Sequence, residues 1–397
     1  MVTILQVVPR LDAGGSELAT IEIAEALTRA GAKALVATEG GRMAAEIAAA
    51  GGEIVDLPVA SKSPLTILAN VRRLARLVED RGVDLLHARS RAPGWSAFLA
   101  ARRKGRPFVT TYHGAYGHVG PFKAAYNSVM ARGDRIIANS RYTAGVIAAR
   151  DQSAQEHIRI IYRGVDDRVF DPAVVEPEAV GRLRTAWGVA PQTKIVLHAA
   201  RLTSIKGQRD LIAAAARLNL EGALDDAVII LAGDVPGRGA YREELAGLIE
   251  NHGLEDKVRL VGHCREMAAA YRAAHVALTI SIVPETFGRT SVEAQAMGCP
   301  VIVPDLGALP ETIVASGRQG EASFTGWLVP PRDVEALAKR IGQALVLTPS
   351  ERAEIGARAR AHVAARFALS RMQAMTLAVY DELLGTDLAE RFKRSRC

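Results

Sequence analysis

Short apolar runs alternate with longer, Ala- and Leu-rich segments along nearly the whole chain. Each run has the length and composition of a buried strand, and each intervening segment is typical of a helix. Short buried strands between helices indicate parallel βαβ units, so the pattern predicts two doubly wound parallel sheets. The predicted strands are residues 4–8, 34–38, 54–57, 85–87, 108–112, 135–138 and 158–161 in the first half and 195–198, 228–232, 258–261, 276–280, 301–303 and 326–329 in the second.

The length of the chain also indicates two domains. At 397 residues it is too long for one ordinary core and suits two α/β domains of similar size. Residues 163–177 interrupt the pattern with Gly, Pro and Asp. We place the link there, with a first domain at 1–170 and a second at 171–368. Ligands of such sheets bind at the carboxyl ends of the strands, so two facing sheets are expected to leave a cleft for a ligand.

Composition and charge limit the class of partner. Apolar residues make up 49% of the chain and charged residues 23%, which is typical of a soluble globular protein. The formal net charge of +7 favours an acidic partner such as a nucleotide phosphate, an anionic lipid headgroup or a nucleic acid. Since the sequence has no recognition motif and no basic strip with interleaved aromatic residues, we expect no nucleic-acid partner.

The cysteines and the hydrophobic runs predict a cytoplasmic protein. Cys264, Cys299 and Cys397 are odd in number, widely separated and without metal-ligand spacing, which argues for a reducing compartment and against a structural zinc. The first residues enter a strand-like run without a basic segment or a cleavage site, so no signal peptide is predicted. No apolar run approaches the roughly 20 residues that span a bilayer.

The stretch 281–314 holds the densest group of candidate site residues. An apolar run ends before Pro284, which is followed by a loop that contains Glu285. A short helix is predicted to begin near Ser291 and to end at Gly298. The first N–H groups of a helix lack intrahelical partners, and the helix dipole adds partial positive charge there. The stretch therefore predicts an anion site, most often for a phosphate.

Two carboxylates flank this helix start. Glu285 precedes the helix and could accept hydrogen bonds from hydroxyls of the molecule that carries the phosphate. Glu293, in the predicted first turn, could accept hydrogen bonds from the next part of the same ligand. Gly288 would let the ligand approach the backbone closely. Taken alone, Glu285 also fits a solvated loop carboxylate, and Thr290-x-x-Glu293 also fits a capping box. The residues themselves leave these alternatives open.

The spacing and surroundings of the two acids resemble a known family. Glu-x7-Glu, with Phe-Gly after the first Glu and Gly-x-Pro-Val-Ile after the second, resembles the signature of the retaining glycosyltransferases of family four, which have the GT-B fold. In that family the first acid contacts hydroxyls of the donor sugar and the second contacts the nucleotide ribose, which implies these roles for Glu285 and Glu293. The resemblance also makes the rest of the loop part of the predicted donor site, namely Phe287, Gly288, Arg289 and Thr290.

A second cluster follows the first strand of the second half, in residues 198–207. Arg201 and Lys206 lie on a predicted turn, where two cations can clamp a diphosphate or simply remain solvated. The run Arg-Leu-x-x-x-Lys-Gly resembles the second signature of the same family, in which these cations neutralise the donor diphosphate. The resemblance implies that role for Arg201 and Lys206, although Ala200 stands where the family usually has Gly.

Glycine-rich turns after other strands extend the predicted donor site. Gly14 and Gly15 follow the first strand without forming a G-x-G-x-x-G fingerprint, so they fit either a tight βα turn or a close approach to a phosphate or sugar. The family has Gly-Gly-x-Glu here, which favours ligand contact. Gly262 ends a later strand, at the position where the family binds the base of the donor nucleotide. Residues 233–235 are Gly-Asp-Val instead of the usual Gly-x-Gly.

One histidine is the predicted active-site residue of the first domain. His113 stands at the carboxyl end of a strand, faces the predicted cleft and precedes a glycine, a position in which a lone histidine is less often structural. The family carries Thr-x-His-Gly here, with its histidine beside the donor sugar, which implies that role for His113. His87 and His118 are weaker candidates. Three further residues are candidates for the lining of the cleft: Asn139, Ser140 and Arg141.

The most basic segment is residues 62–106, with eleven Lys or Arg against three acidic residues. Part of it is typical of a helix with Arg72, Arg73 and Arg76, and part is the cluster at 102–106. A solvated helix face would explain these charges. Attraction to anionic lipid at the inner leaflet, worth about 1 kcal/mol per well-placed residue, would explain them equally, and acceptors in the family are often lipid-linked. We therefore expect peripheral contact with the membrane surface.

Together the signatures predict a retaining GT-B glycosyltransferase that moves a sugar from a UDP-, GDP- or ADP-sugar to an acceptor hydroxyl, making an α-linkage. The resemblance implies an acceptor-side first domain, completed by a C-terminal helix at about 369–390, and a second domain that binds the donor. The link resembles the family's interdomain turn, although Tyr162 and Arg163 stand where Pro-Asn is usual. The charge of the leaving diphosphate would be stabilised without a metal or other cofactor. The residues expected to act in catalysis are His113, Glu285, Arg201 and Lys206.

The expected acceptor is lipid-linked or a polysaccharide, such as a growing lipopolysaccharide, exopolysaccharide or glycolipid of the cell envelope. Three alternatives share the fold. A sugar-nucleotide epimerase or hydrolase would turn over the donor without an acceptor. A phosphorylase or sucrose-type enzyme would use a soluble acceptor. A sugar-nucleotide sensor would bind the donor without catalysis, and it is the least favoured because the acids and cations are all present.

Overall fold

The computed structural model describes residues 1–12, 14–114, 120–235, 237, 239–315 and 323–396. The chain divides into two compact units, one made of Met1–Gly164 with Leu369–Cys397 and the other of Val165–Ala368. The second unit thus begins at Val165, within the segment where composition predicts the link, whereas the predicted boundary stands at residue 170. His118 and Cys397 lie outside the described residues.

The first unit is built on one parallel sheet. Its strands are β1 (Thr3–Val7), β2 (Lys33–Thr38), β3 (Glu53–Asp56), β4 (Leu85–Ala88), β5 (Phe108–Tyr112), β6 (Arg135–Ala138) and β7 (Ile158–Ile160). Their order in the sheet is β3-β2-β1-β4-β5-β6-β7. The connecting helices are α1 (Gly15–Arg29), α2 (Ala44–Ala49), α3 (Pro64–Asp80), α4 (Arg91–Arg103), α5 (Pro121–Asn127) and α6 (Arg141–Arg150), with 3-10 turns at Ser128–Ala131 and Gln152–His157.

The second unit repeats this plan with a smaller sheet. Its strands are β8 (Lys194–Ala199), β9 (Ala227–Ala232), β10 (Val258–Gly262), β11 (Val276–Leu278), β12 (Val301–Pro304) and β13 (Gly326–Val329). All are parallel, in the order β10-β9-β8-β11-β12-β13. Its helices are α7 (Pro177–Ala186), α8 (Gln208–Leu220), α9 (Ala240–Asn251), α10 (Met267–Ala273), α11 (Arg289–Ala296), α12 (Val334–Leu345) and α13 (Pro349–Arg366), with a 3-10 turn at Leu309–Thr312.

The prediction of two doubly wound parallel sheets is confirmed. Every predicted strand is present, with ends shifted by at most a residue or two. The physical reason is visible in β8, where successive side chains point to opposite faces of the sheet. Val196 packs into one apolar cluster, whereas Ile195 and Leu197 pack into another. Because helices cover both faces, the strands appear in the sequence as nearly continuous apolar runs.

Each sheet contains one strand at which the order of connections reverses. In the first unit β1 lies between β2 and β4, and in the second unit β8 lies between β9 and β11. The connections on the two sides of such a strand diverge, which leaves a crevice at the carboxyl ends where ligands of doubly wound sheets bind. The loops after β8 and β11 are those that carry the strongest sequence motifs.

Two helices at the end of the chain belong to the first unit, α14 (Leu369–Leu384) and α15 (Leu388–Arg394). The inner face of α14 buries Met372, Leu377 and Tyr380 in the core of that unit. Gln373 Nε2 donates a hydrogen bond of 2.8 Å to the main-chain oxygen of Glu22 in α1. The first sheet is therefore covered in part by the last helices of the chain.

Candidate active site

The loops after β8 and β11 leave the same edge of the second sheet. The loop after β8, residues 200–207, carries Arg201 and Lys206, and the loop after β11, residues 279–288, carries Glu285. Since β8 and β11 are hydrogen-bonded neighbours, residues that are distant in sequence are placed side by side. We refer to these segments as the 200–207 loop and the 279–288 loop.

Main-chain contacts hold the two loops together. The Ile282 amide donates to the carbonyl oxygen of Ile205 at 3.0 Å. Gly207 has a φ of +77°, and a Cβ at this position would lie 2.1 Å from the carbonyl oxygen of Ile280. A side chain at residue 207 would therefore collide with the main chain and strain the backbone as well. The glycine of the Lys-Gly pair is required by this close approach.

The side chains of Lys206 and Glu285 form an ion pair. Lys206 Nζ lies 2.5 Å from Glu285 Oε1, and Ser281 Oγ donates to the same carboxylate oxygen. The two side chains are 21% and 20% exposed, so solvent reaches the pair. An ammonium group has three N–H donors. Lys206 can therefore hold Glu285 in place and still donate to a bound anion.

Arg201 differs from Lys206 in its exposure. Its main chain is held by Gln208, whose Nε2 donates to the Arg201 carbonyl oxygen at 3.0 Å. Its side chain extends from the exposed surface of the loop. A guanidinium group offers several donors in a planar fork that matches phosphate oxygens. The loop thus presents one cation held by a carboxylate and one exposed to solvent.

α11 begins at a glycine and not at a capping side chain. Gly288, with a φ of +120°, is the N-cap, and no described side chain caps it. A side chain at this position would strain the backbone at this positive φ, and its Cβ would lie 2.4 Å from Leu309 Cδ2, which would have to move. The helix starts at Arg289, before the predicted start near Ser291. The first N–H groups of a helix lack intrahelical partners, and the helix dipole favours an anion there.

The capping box that the sequence allowed at Glu293 is absent. Because Gly288 is the N-cap, Thr290 lies within the helix, where its hydroxyl pairs with Thr279 Oγ1 at 2.9 Å. Glu293 lies beyond the first turn, so its predicted place in that turn was wrong. Its carboxylate is buried and accepts a hydrogen bond of 2.7 Å from Arg289 Nε. Glu293 is therefore held by a side chain of its own helix.

Two aromatic residues complete the surroundings of α11. The Tyr271 hydroxyl lies 3.5 Å from Glu293 Oε2, and burial together with the negative charge of Glu293 raises the pKa of Tyr271 well above its usual value. Tyr271 therefore stays protonated and acts as a donor. The Phe287 ring is buried and packs edge-on against Phe367, with 5.7 Å between ring centroids. Phe287 could therefore contact a sugar-nucleotide substrate only through its main chain.

The turns after β9 and β10 lie beside the 200–207 loop. A Cβ on Gly233 would lie 1.9 Å from the Ala200 carbonyl oxygen, so the Gly-Asp-Val turn packs directly on that loop. The Gly233 amide donates to the Gly262 carbonyl oxygen at 2.7 Å. Open space surrounds the Cα of Gly262, which ends β10 with a φ of +73°. Beyond it, His263 Nδ1 lies 3.0 Å from Asp234 Oδ1.

In the first unit, His113 follows β5 and Arg163 follows β7. The Arg163 guanidinium donates to Nδ1 of His113. Because Nδ1 accepts this bond, a neutral His113 ring carries its proton on Nε2. The His113 ring is half-buried and Arg163 is buried. The sequence drew attention to Arg163 only as a departure from the family's usual turn.

His87 is placed in the core and away from any accessible site. Its Nδ1 lies 2.6 Å from the Tyr380 hydroxyl and its Nε2 lies 2.7 Å from Thr111 Oγ1. Burial, and then the charge of Arg89, lowers the pKa of His87 well below its usual value. Since both nitrogens are engaged inside the core, this ring links α14 to β4 and β5, and the weaker prediction of a site role for His87 is wrong.

The remaining predicted residues of the first unit lie at helix starts. Gly14 is the N-cap of α1, with a φ of +142°, and Gly15 is its first residue. Ser140 is the N-cap of α6, and its Oγ accepts a hydrogen bond of 3.0 Å from the Thr143 amide. Asn139 is buried, and its Oδ1 accepts from Thr143 Oγ1 at 2.9 Å. Arg141, the first residue of α6, is exposed.

Sequence reasoning missed two residues that support the 200–207 loop and the 279–288 loop, namely Ser281 and His198. Ser281 holds the Glu285 carboxylate, and nothing in its local sequence distinguishes it. His198 lies at the end of β8, where its ring contacts the Lys206 carbonyl oxygen at 2.9 Å. A polar residue inside an otherwise apolar strand was the available signal for His198.

Cysteines and metal-ligating residues form no cluster in the described parts of the chain. Cys264 is half-buried and Cys299 is buried, and both are free thiols. Burial raises the pKa of Cys299 to about 12. Across the described ranges, no group of three or more His, Cys, Asp or Glu side chains is arranged to hold a metal ion.

Two family models match the two units. Residues 13–169 match the model of Glycosyltransferase Family 4, and residues 181–362 match that of Glycosyl transferases group 1. A D-inositol 3-phosphate glycosyltransferase of Catenulispora acidiphila is 32% identical over 318 residues, which are 75% of this chain and 72% of that protein. The chain belongs to glycosyltransferase family 4. The prediction of the family and of a transferase enzyme is therefore confirmed.

Solved structures agree with this glycosyltransferase in fold. A glycosyltransferase from Rickettsia africae ESF-5 superposes with a TM-score of 0.88 and 32% identity, covering 97% of this chain and 99% of that one. Anabaena Alr3699/HepE, solved with UDP and glucose, has a TM-score of 0.82 and 25% identity, covering 96% of this chain and 100% of that one. The two parallel-sheet units of this glycosyltransferase are the two Rossmann-like domains of the GT-B fold.

Proposed function

We propose that this glycosyltransferase moves a sugar from a nucleotide-diphosphate sugar to an acceptor hydroxyl with retention at the anomeric carbon, which makes an α-linkage. The observation that carries the proposal is the Lys206–Glu285 pair, 2.5 Å apart at the carboxyl edge of the second sheet. In this proposal the cation serves the diphosphate and the neighbouring carboxylate serves the sugar. In the reaction the bond from the anomeric carbon to the diphosphate oxygen breaks, the acceptor oxygen bonds to that carbon, and the proton of the acceptor hydroxyl passes to the leaving diphosphate.

The second unit would stabilise the leaving diphosphate. Negative charge grows on the diphosphate oxygen as the bond breaks, and preorganised donors lower the barrier where that charge develops. Arg201 offers its exposed guanidinium, Lys206 offers the donors that Glu285 does not use, and the start of α11 offers N–H groups. These groups supply the positive charge in our proposal, in which no metal cofactor takes part.

The sugar would be held in the second unit by Glu285. Lys206 and Ser281 both donate to Oε1 of Glu285, which leaves Oε2 to accept hydrogen bonds from sugar hydroxyls. In the first unit, His113 would act as a hydrogen-bond donor through Nε2, since its Nδ1 accepts from Arg163. For the nucleotide, we assign the ribose to Glu293 and the base to the turn at Gly262.

A UDP-sugar is the first donor to test, because Anabaena Alr3699/HepE was solved with UDP and glucose. GDP- and ADP-sugars are the other candidates. The purified protein would be screened against UDP-, GDP-, ADP- and CMP-sugars by thermal shift. A ligand at a hundred times its dissociation constant stabilises the folded state by about 2.7 kcal/mol, which is readily detected. If none of these compounds raises the melting temperature, the proposed donor class is wrong.

The acceptor that we propose is a lipid-linked or polysaccharide chain of the cell envelope, reached at an anionic membrane surface. The support is one face of α3. Leu65 and Leu68 are 80% and 60% exposed, and the spacing places Arg72 and Arg76 on the same face. Exposed leucines beside arginines suit insertion at a headgroup boundary. No described helix is long and apolar enough to cross a membrane.

Vesicle binding tests this face directly. We expect the protein to co-sediment with vesicles that contain phosphatidylglycerol and not with pure phosphatidylcholine vesicles. Replacement of both Leu65 and Leu68 by Ser should weaken that binding, because two buried leucines contribute roughly 3 kcal/mol or more. Leu220, which is 90% exposed in the second unit, offers the matched control. Equal binding by the double variant and by Leu220→Ser would contradict the proposed membrane face.

A soluble phosphorylated polyol is a second candidate acceptor. The observation that favours it is the name of the Catenulispora relative, a D-inositol 3-phosphate glycosyltransferase. Once a donor is known, product formation with inositol phosphates would be compared with that on an envelope glycolipid extract. The anomeric proton coupling of the product, measured by NMR, decides between retention and inversion. Turnover of the donor at the same rate without any acceptor would favour a hydrolase or epimerase instead.

A further inference from the structure

His198 is a polar residue in an apolar strand next to the proposed donor site. Its side chain is only 2% exposed. Its partners across the sheet are Leu231 in β9 and Leu278 in β11, and neither leucine offers a side-chain hydrogen bond. A buried imidazole without partners would cost free energy, so the ring has to bond to main-chain groups.

Both ring nitrogens of His198 lie against carbonyl oxygens. Nδ1 is 3.0 Å from the oxygen of Leu278, the last residue of β11, and Nε2 is 2.9 Å from the oxygen of Lys206. Lys206 is the residue whose ammonium group pairs with Glu285. The ring therefore connects the end of β11 to the main chain of the charged residue in the 200–207 loop.

The number of hydrogens on the ring decides how many of these contacts are hydrogen bonds. Carbonyl oxygens only accept, and a neutral imidazole has a single N–H, whereas a protonated imidazole has two. A neutral His198 ring can therefore bond to one of the two carbonyls, and a protonated ring to both. The partners of His87 are hydroxyls, which can donate or accept, so a neutral ring is satisfied there on both sides.

The charged groups that act on the ring lie on the two loops. Lys206 disfavours a protonated ring, and Glu285 favours it. Burial lowers the pKa of His198, and the contacts with the two carbonyls oppose that shift. The strand neighbours carry no charge, and the first residue of α8 is the neutral Gln208. An anion bound beside Lys206 would add a second group that favours protonation.

We propose that His198 is a positioning residue for the donor diphosphate, because its ring fixes the main chain of Lys206 against the end of β11. The neutral ring holds Lys206 when its single N–H is on Nε2. The protonated ring holds both carbonyls and makes the 200–207 loop more rigid. The link to the diphosphate rests on the function proposed above, whereas the anchoring of the loop is a property of the ligand-free protein.

Two substitutions separate the contacts of the two nitrogens. The amide nitrogen of Gln reaches roughly to the position of Nε2, and that of Asn roughly to the position of Nδ1. His198→Gln should therefore keep the anchor on Lys206, and His198→Asn should lose it. The matched control is His275→Gln, since His275 directly precedes β11 at the opposite edge of the same sheet. Burial lowers the pKa of His275 to about 4.

Hydrogen exchange of the ligand-free proteins is the first measurement. The Lys206 amide donates to the Thr203 oxygen and the Ile282 amide to the Ile205 oxygen, so both amides report on the loop. In His198→Asn we expect both to exchange about tenfold faster than in the wild type, with His198→Gln near the wild type. Because burial lowers the pKa of His198 from 6.5, the protection of both amides in the wild type should rise only as the pH falls below that value, once the intrinsic pH dependence is removed. The variants should not show this rise.

Binding of UDP is the second measurement. We expect the dissociation constant of UDP to rise about tenfold in His198→Asn, with partial rescue in His198→Gln and no change in His275→Gln. Unchanged exchange of the loop in His198→Asn would overturn the proposal, as would pH-independent protection in the wild type. If UDP fails to bind the wild type, the proposed donor is wrong, and the exchange data alone then decide the role of His198.

Discussion

The carboxyl edges of the two sheets accommodate charged groups in different ways. In the first unit, Arg89 is buried and donates from Nε to the neutral Gln6 Oε1 at 2.9 Å, and His87 is buried between two hydroxyls. In the second unit, Lys206 and Glu285 form a pair that is about one-fifth exposed. Burial lowers the pKa of Arg89, whereas solvent still reaches the Lys206–Glu285 pair.

The comparison separates groups that stabilise the fold from groups that solvent, and hence a ligand, can reach. A buried polar group has exchanged water for fixed partners, so the loss of one partner leaves an unsatisfied group and costs stability. A partly exposed ion pair contributes little to stability, but its groups can turn to a ligand. Substitution of the buried polar groups at the first edge should therefore lower the free energy of unfolding, and substitution of the charged pair at the second edge should lower activity.

The largest effect is expected at the second edge. Lys206→Ala and Glu285→Ala should each lower kcat/KM by about two to three orders of magnitude, because each removes a charged group that acts on the transition state. The melting temperature should stay close to that of the wild type. Lys194→Ala is the matched control, since Lys194 begins β8 at the opposite edge and pairs with Asp226 at 2.8 Å. Wild-type activity in either site variant would contradict the site assignment.

The glycine beside this pair gives the next largest effect. Gly207→Ala should lower the free energy of unfolding by about 2 kcal/mol or more, because the new Cβ collides with the Ile280 carbonyl oxygen and φ is positive. Chemical denaturation measures the loss. Gly253 also has a positive φ, of +61°, but open space around it, so Gly253→Ala should cost clearly less. Equal losses in the two variants would show that strain alone, and not the loop contact, matters at Gly207.

At the first edge, Tyr380→Phe should cost about 1–2 kcal/mol of stability, since Nδ1 of the buried His87 loses its partner. Urea denaturation checks this value. Tyr241→Phe is the comparison, because the half-buried Tyr241 hydroxyl makes only a longer bond of 3.3 Å to Gln208. If Tyr380→Phe proves no more costly than Tyr241→Phe, the buried network of the first edge is not a source of stability.

The smallest effect concerns an ion-pair network on α14. Hydrogen bonds from Arg135 and Arg159 lower the pKa of Glu382 from 4.5 to about 2. A depressed carboxyl pKa contributes stability above the unfolded value, and that contribution is lost as the pH falls from about 4.5 towards 2. Because the carboxylate is partly exposed, the contribution should stay below about 1 kcal/mol. In urea denaturation, Glu382→Gln should therefore have the same free energy of unfolding as the wild type at about pH 2 and a slightly lower one at neutral pH. An equal difference at both pH values would refute the assignment.

Much of the fold was predictable, because the signals were local. A buried strand between helices leaves an apolar run of characteristic length, and all of the predicted strands are present. The start of α11 was misplaced because its N-cap is Gly288, with a φ of +120° and no capping side chain to mark it in the sequence. The wrong placement of Glu293 in the first turn and the capping-box alternative followed from that error. His87 was also misjudged, since only the packing of α14 shows that its ring is buried.

The sequence by itself determined the two parallel sheets, the family and the residue types at the site, because periodicity and motif spacing are properties of neighbouring residues. The tertiary structure alone decided which of these residues meet. The contact between Lys206 and Glu285 depends on β8 and β11 being neighbours in the sheet, although β9 and β10 separate them in the chain. The place of His198 between two carbonyls has the same origin, since strand order sets its surroundings and no local pattern encodes it.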